Sequence, residues 1–314
     1  MGEGIMKRVL LIGGGGTLGT YTAEELLRLG HRVDIICLED TVSNDERLTY
    51  YKAYATPKYL EQLFAKTHYD GIINFIHNRN YKDYPPYHAL LSQNTEHLIF
   101  LSSYRVYADL KHPITEDAPL LIDVIKDDPF FFEKEDYALS KSRSERFLAN
   151  NPYPKNWTVV RPVISFSARR MDLVMLGKSD IADAKRDGRR LQLPLSAKNL
   201  TAGLDWAGNS GKLIANLLFK EETIGQAYTI STAQNLTWGE IADIYTEVLG
   251  VEFEWTPEDY KADNYRAHFR WKYDRAYDRC IDNSKVLAAT GLTSADFKTI
   301  REGIVIELGK LGII

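Results

Sequence analysis

The hydrophobic residues of this chain fall in short continuous runs, separated by stretches with helical spacing. Val9–Ile12, His31–Leu38 (HRVDIICL), Tyr69–Ile76 (YDGIINFI), His97–Ser103 (HLIFLSS) and Trp157–Val163 (WTVVRPV) are such runs. Unbroken apolar character, rather than alternation, is what a strand covered on both faces of a parallel sheet requires. Between the runs, Ala23, Leu26 and Leu27 share one helical face, and Leu60–Phe64 and Tyr87–Ser92 read as short helices. Glu133–Ala149 (EKEDYALSKSRSERFLA) reads as a longer helix with acids in its first turn, stopped by Asn150–Pro154. Strands alternating with helices predict an α/β fold of the Rossmann type, a doubly wound parallel sheet whose ligands sit at the carboxyl ends of the strands.

Beyond Val163 the rhythm loosens. Asp180–Arg190 is expected to be a charged helix, Leu191–Leu195 a short strand, Ala207–Phe219 a helix packing back on the sheet, and Ala227–Ile230 a late strand. Thr237–Leu249 (TWGEIADIYTEVL) is amphipathic, with Ile241, Ile244, Tyr245 and Val248 on one face and Gly250 as its stop. Pro113–Pro129 reads as a loop. The two parts of the molecule are expected to interleave.

The first strand breaks into glycines at Gly13, Gly14, Gly15, Gly16 and Gly19 before the first helix begins. A side chain at such a turn would block both the sharp bend and the approach of a diphosphate to the helix-start amides, so this is a dinucleotide-binding signature. Gly13, Gly16, Thr17, Leu18 and Gly19 are the residues expected to hold the diphosphate. Glu39, following the second strand, is placed to hydrogen-bond the adenine ribose. No arginine directly follows that strand to attract a 2'-phosphate, which favours NAD and leaves NADP possible.

Tyr137 and Lys141 lie four apart on a predicted helix and hence on one face. A phenol is a poor base at its ordinary pKa of about 10, and a nearby ammonium favours the phenolate. Tyr137 is therefore expected to exchange a proton with a substrate hydroxyl while a bound cofactor accepts hydride from the same carbon. Ser103, at a strand end, is expected to hydrogen-bond the same oxygen, and His77, at the end of the Ile72–Ile76 run, to lie near the nicotinamide. The same tyrosine-to-lysine spacing occurs at Tyr54 with Lys58 and Tyr107 with Lys111, but neither pair lies in a convincing helix.

Composition adds mainly exclusions. A net charge of −4 over 314 residues gives no invitation to nucleic acid or an anionic membrane. The two cysteines, Cys37 and Cys280, have no metal-like or redox-like spacing, and the seven histidines show no metal spacing, so no metal is expected. The N-terminal MGEGIMKR leaves no room for a signal peptide, and no apolar run reaches membrane-spanning length. A soluble cytoplasmic protein is expected.

The order of motifs resembles the extended short-chain dehydrogenase/reductase family, which includes nucleotide-sugar epimerases and dehydratases. The resemblance rests on glycines at Gly13, Gly16 and Gly19, SSYRVY at Ser102–Tyr107 and YALSK at Tyr137–Lys141. It continues through Arg161–Pro162, GQAYTIS at Gly225–Ser231, Leu236–Leu249 and DNSKVLAATG at Asp282–Gly291. It implies a Ser103, Tyr137 and Lys141 catalytic triad, with Tyr137 and Lys141 also contacting the cofactor. It further implies a Rossmann domain over residues 1–165, with 203–235 packing back onto it, and a smaller α/β substrate lobe over 166–202 and 236–314. A homodimer is expected from the resemblance alone.

The family's dehydratases place an acid pair directly after the catalytic hydroxyl residue. Tyr104 and Arg105 stand there in this chain. A 4,6-dehydratase is thus disfavoured, while an epimerase or a reductase acting on a nucleotide sugar survives. A nucleotide-sugar diphosphate needs guanidinium forks. Arginines 169, 170, 186, 189, 190, 270 and 275 fall in the expected substrate lobe; Arg105, Arg169, Arg190 and Arg270 are the substrate-binding candidates. Two other readings remain: an RNA-binding protein on this fold, as in related chloroplast stem-loop-binding proteins, and a non-catalytic NAD(P)-binding regulator. The first rests on Asn264–Arg279, where arginines alternate with aromatics.

Overall fold

The computed structural model describes residues 6–135, 137–257 and 260–314. Its centre is β1, Arg8–Ile12, whose side chains point alternately to two hydrophobic cores. Val9 and Leu11 enter the core on one face of the sheet, and Leu10 and Ile12 enter the core on the other. A strand with cores on both sides cannot alternate apolar with polar, which explains the unbroken run.

Six more strands extend the sheet: β2 Arg32–Cys37, β3 Leu48–Lys52, β4 Gly71–Asn74, β5 His97–Leu101, β6 Trp157–Pro162 and, last, Ala227–Ile230. In space the order is Ala227–Ile230, β6, β5, β4, β1, β2, β3, and every neighbouring pair is parallel. This is the doubly wound Rossmann-type sheet expected. The direction of winding reverses between β1 and β4, so a crevice opens beyond Ile12 and Asn74, which are partners in register. Helix α1, Thr17–Arg28, and the helix Ala207–Leu217 cover one face. Helices α2, Pro57–Phe64, and α3, Tyr84–Ser92, cover the other together with the helix Ala138–Ala149.

Departures from expectation near the sheet and the site are instructive. Strand β3 was not anticipated: it is an edge strand whose LTYYK sequence is only half-buried, so it lacks the apolar run of its neighbours. The helix expected over 133–149 begins at Ala138, preceded by a separate one-turn helix, Pro129–Lys134. The break has a cause, because one Glu135 oxygen accepts the amide N–H groups of both Tyr137 and Leu139, capping a new helix start. Tyr137 therefore sits at the N-cap instead of within the helix. Lys141 still donates its amide to the Tyr137 carbonyl at 3.0 Å, so the two remain one turn apart. Finally, the loop after Pro113 contains a short helix, Leu121–Val124.

A third core, built around Trp238, Ile241, Tyr245, Ile300 and Ile304, defines the second lobe. Tyr104, Val106, Tyr107 and Ile114 belong to this core although they follow β5 directly, whereas Val286 and Ala289 pack with the sheet. The lobes therefore exchange segments. No helix among the described residues is long and apolar enough to cross a membrane.

Candidate active site

At the switch point the chain turns through Gly13, which has a positive φ of 73° and donates its amide to the Ile36 carbonyl. A Cβ on Gly19 would lie 2.2 Å from the Gly14 carbonyl oxygen, so the helix can leave the turn this closely only with glycine there. At Gly16, by contrast, nothing lies within 4 Å of a Cβ position. That open space faces the start of α1, whose N-cap has no side-chain partner and whose first turn holds no acid. Free amides, a favourable helix dipole and room for an anion meet at one point.

A cleft of about 400 Å³ opens here, with Gly13, Gly16, Thr17, Leu18 and Gly19 in its wall. Ser103 and Tyr137 line the same cleft. Ser103 is buried, and its Oγ accepts the Arg105 amide at 3.2 Å. The Tyr137 ring touches two neighbours: the His77 ring, edge-on at 4.8 Å between centroids, and the Arg105 guanidinium, 4.9 Å from the ring centre. His77 Nε2 lies 2.7 Å from Ser140 Oγ, so the histidine is held against the helix that Tyr137 begins.

Lys141 is placed differently from the sequence expectation. It is 3% exposed and does not line the cleft; its Nζ donates to the carbonyl of Leu101, which does. Burial pushes its pKa down to about 7, with the Glu145 charge acting the other way. Glu145, on the same helix, forms a paired contact with Arg161, and Arg161 also donates to the Tyr107 hydroxyl at 2.9 Å. The Arg161 and Tyr107 of the family-like motifs thus anchor this helix to β6.

Glu39 lies beside the glycine turn, its carboxylate 2.6 Å from where a Gly15 Cβ would be, while Asp40 pairs with Lys52 at 2.9 Å. Arg169 crosses from the second lobe to meet Glu39 at 3.6 Å and donates to the Gly15 carbonyl. It therefore sits beside the glycine turn and Glu39. Arg190 is displaced, pairing with Glu252 on the surface away from the cleft.

Of the expected substrate arginines, Arg105 and Arg270 line the cleft, joined by Arg170 and Arg275. Arg170, Arg270 and Arg275 each approach the buried Asp172 carboxylate at 2.9 Å. Burial would raise the Asp172 carboxyl, but the three guanidiniums outweigh it and hold the pKa below the usual range. Asp274 is held low in the same way, by Arg275, Arg105 and Arg279. Arg105, Arg170, Arg270, Arg275 and Arg279 together face Asp172, Asp274 and Glu135, so five guanidiniums meet three carboxylates. Four of these arginines, Arg105, Arg170, Arg270 and Arg275, line the cleft together with Asp274, so its lining there carries an excess of positive charge.

This packing also answers the basic, aromatic stretch Asn264–Arg279. Phe269, Tyr273, Arg275 and Arg279 are buried, so it presents no continuous basic face to nucleic acid. The one His-carboxylate group within metal-binding reach among the described residues is His68, Asp70 and Glu96. It lies at the amino ends of β4 and β5, away from the cleft, and Lys7 Nζ already sits 2.8 Å from Glu96 and 3.8 Å from Asp70.

The profile of the NAD dependent epimerase/dehydratase family matches residues 9–172. The chain belongs to that family. No curated protein sequence matches it closely enough to count as a relative. Among solved structures similar to this epimerase/dehydratase family member is the Bordetella bronchiseptica enzyme WbmG in complex with NAD and UDP. It shares 17% identity over 100% of this chain and 97% of that one, with a TM-score of 0.71. The Stenotrophomonas maltophila UDP-glucose-4-epimerase, with NAD and formylated UDP-arabinopyranose, has 15% identity, covers 97% of each chain and gives a TM-score of 0.69. The Thermus thermophilus UDP-glucose 4-epimerase complex with NAD has 17% identity, covers 96% of this chain and 98% of that one, and gives a TM-score of 0.66. These likenesses establish that the extended short-chain dehydrogenase/reductase fold spans both lobes.

Proposed function

We propose that this protein is an NAD-dependent epimerase acting on a ring hydroxyl of a nucleotide sugar. The observation that carries the reading is that one cleft is lined by the glycine turn, by Ser103 and Tyr137, and by Arg105, Arg170, Arg270 and Arg275. The turn fits a dinucleotide: its open position at Gly16 and the uncapped start of α1 suit a diphosphate, and Glu39 suits the ribose diol. When bound, NAD supplies a reversible hydride acceptor. Tyr137 takes the proton of the substrate hydroxyl and returns it, while Ser103 hydrogen-bonds that oxygen and fixes its distance. Arg170, Arg270 and Arg275 hold the sugar-nucleotide diphosphate, their forks kept in place by Asp172. A 4,6-dehydratase fits less well, since Tyr104 and Arg105 occupy the places of its acid pair.

The test is incubation with NAD and a panel of UDP-, dTDP- and GDP-sugars, with products followed by NMR. Conversion to an epimer is expected; absence of both conversion and NAD binding overturns the reading. Gly19→Ala probes the cofactor part alone. Its new methyl would meet backbone at 2.2 Å, and forcing that shift costs about 1–3 kcal/mol. We expect a lower melting temperature and NAD affinity weaker by at least about tenfold, measured by calorimetry.

A further inference from the structure

We propose that Arg105 reads a carboxylate on the sugar ring that carries the reacting hydroxyl, so that the substrates are nucleotide-linked uronates; this rests on the nucleotide-sugar reading above. The placement comes first. Arg105 follows Ser103 by two residues on the short turn Tyr104–Val106, lines the cleft, and lays its guanidinium 4.9 Å from the Tyr137 ring centre. It therefore stands beside the two hydroxyls that would hold the reacting oxygen. The diphosphate-binding arginines are a different set, gathered on Asp172.

The second observation is that its guanidinium is ion-paired only at long range and its Nε makes no hydrogen bond. The nearest carboxylate oxygens are 3.6 Å from Nη2, on Glu135, and 3.5 Å from Nε, on Asp274, and the buried Nε has no hydrogen-bond partner. Both acids are committed elsewhere. One Glu135 oxygen takes the Tyr137 and Leu139 amides at 3.0 and 2.9 Å, and Asp274 takes the Tyr104 hydroxyl and the Arg275 guanidinium. They hold the position of Arg105 by charge without filling its fork. A guanidinium kept mostly from water and paired only at long range is matched by a planar, charged acceptor that takes two of its N–H groups, which a carboxylate is and a hydroxymethyl is not.

The experiment is titration calorimetry of UDP-glucuronate and UDP-glucose on the NAD-loaded protein, its Arg105→Met variant and its Arg105→Lys variant. Thermal melts confirm that each variant is folded. The wild type is expected to bind the uronate at least about tenfold more tightly, as a charged hydrogen bond in a buried site implies. Arg105→Met should bring the ratio close to unity, and Arg105→Lys should keep part of it, since the charge remains and the fork is lost. Equal affinity in the wild type, or a preference that survives Arg105→Met, overturns the assignment and leaves the nucleotide-sugar reading standing. Failure of both sugars to bind overturns the assignment as well, and the nucleotide-sugar reading falls with it only if no sugar of the wider UDP-, dTDP- and GDP-sugar panel is converted.

Discussion

Tyr137→Phe is expected to leave NAD binding unchanged and to lower turnover of a nucleotide sugar by about 10²–10⁴-fold, the usual weight of a positioned proton-transfer group. The substitution isolates that group because the ring contacts of Tyr137 do not involve its oxygen. A phenyl ring keeps the edge contact with His77 and the stack under Arg105, and the amide still reaches Glu135. The helix start and the cleft wall are therefore preserved while the transferable proton is gone. NAD affinity by calorimetry and single-turnover hydride transfer by nicotinamide absorbance separate the two effects. Turnover within about threefold of the wild type would remove Tyr137 from the chemistry.

That prediction was legible from the sequence in outline, and the reasons are uneven along the chain. Strands β1, β2, β4 and β5 announce themselves because each is covered on both sides, and the glycines announce the turn because no other residue fits where Gly19 meets Gly14. Strand β3 escaped because an edge strand with two tyrosines and a lysine carries no such pattern. The helix bearing Tyr137 was placed but begun too early. EKEDYALSK has continuous helical propensity, and only the three-dimensional turning of Glu135 onto two amides ends one helix and starts another.

The arginines show the limit most clearly. Sequence identified the segments that carry them but not which of them turn inward. Arg190 follows a charged helix and stays at the surface with Glu252. Arg275 ends the segment Trp271–Arg275, where the helical path kinks at Tyr273 (φ −114°, ψ 16°) and Asp274 and Arg275 are buried. The Asp172 partner of Arg275 lies 103 positions earlier in the chain, and no local pattern marks such a pair. Arg169 behaves similarly, reaching back 154 positions to the Gly15 carbonyl. Charge spacing finds candidates; burial decides among them.

Lys141→Met is expected to abolish turnover and yet to stabilise the protein without ligands. Lys141 is buried, and removal from water brings its pKa down to about 7 in the folded chain, whereas an unfolded lysine titrates near its ordinary value of 10.5. Between those two values the unfolded chain holds a proton that the folded chain does not, so wild-type stability rises with pH across that window. Below about pH 7 both states carry the proton and the full cost of the buried charge is present. Methionine has the length of the lysine stem without the charge; it forfeits the attraction of Glu145, the contact of Nζ with the Phe100 ring at 5.1 Å and the hydrogen bond to the Leu101 carbonyl, the last a loss of about 1–3 kcal/mol. The net gain at pH 6 is expected to be roughly 2 kcal/mol, shrinking by about 1.4 kcal/mol per pH unit above pH 7. Urea unfolding of both proteins at pH 6 and pH 9 measures this directly. A variant less stable than the wild type at pH 6 would show that Lys141 is a structural tether. A variant that is more stable and inactive would show a charge kept against stability, one turn from Tyr137, for the reaction.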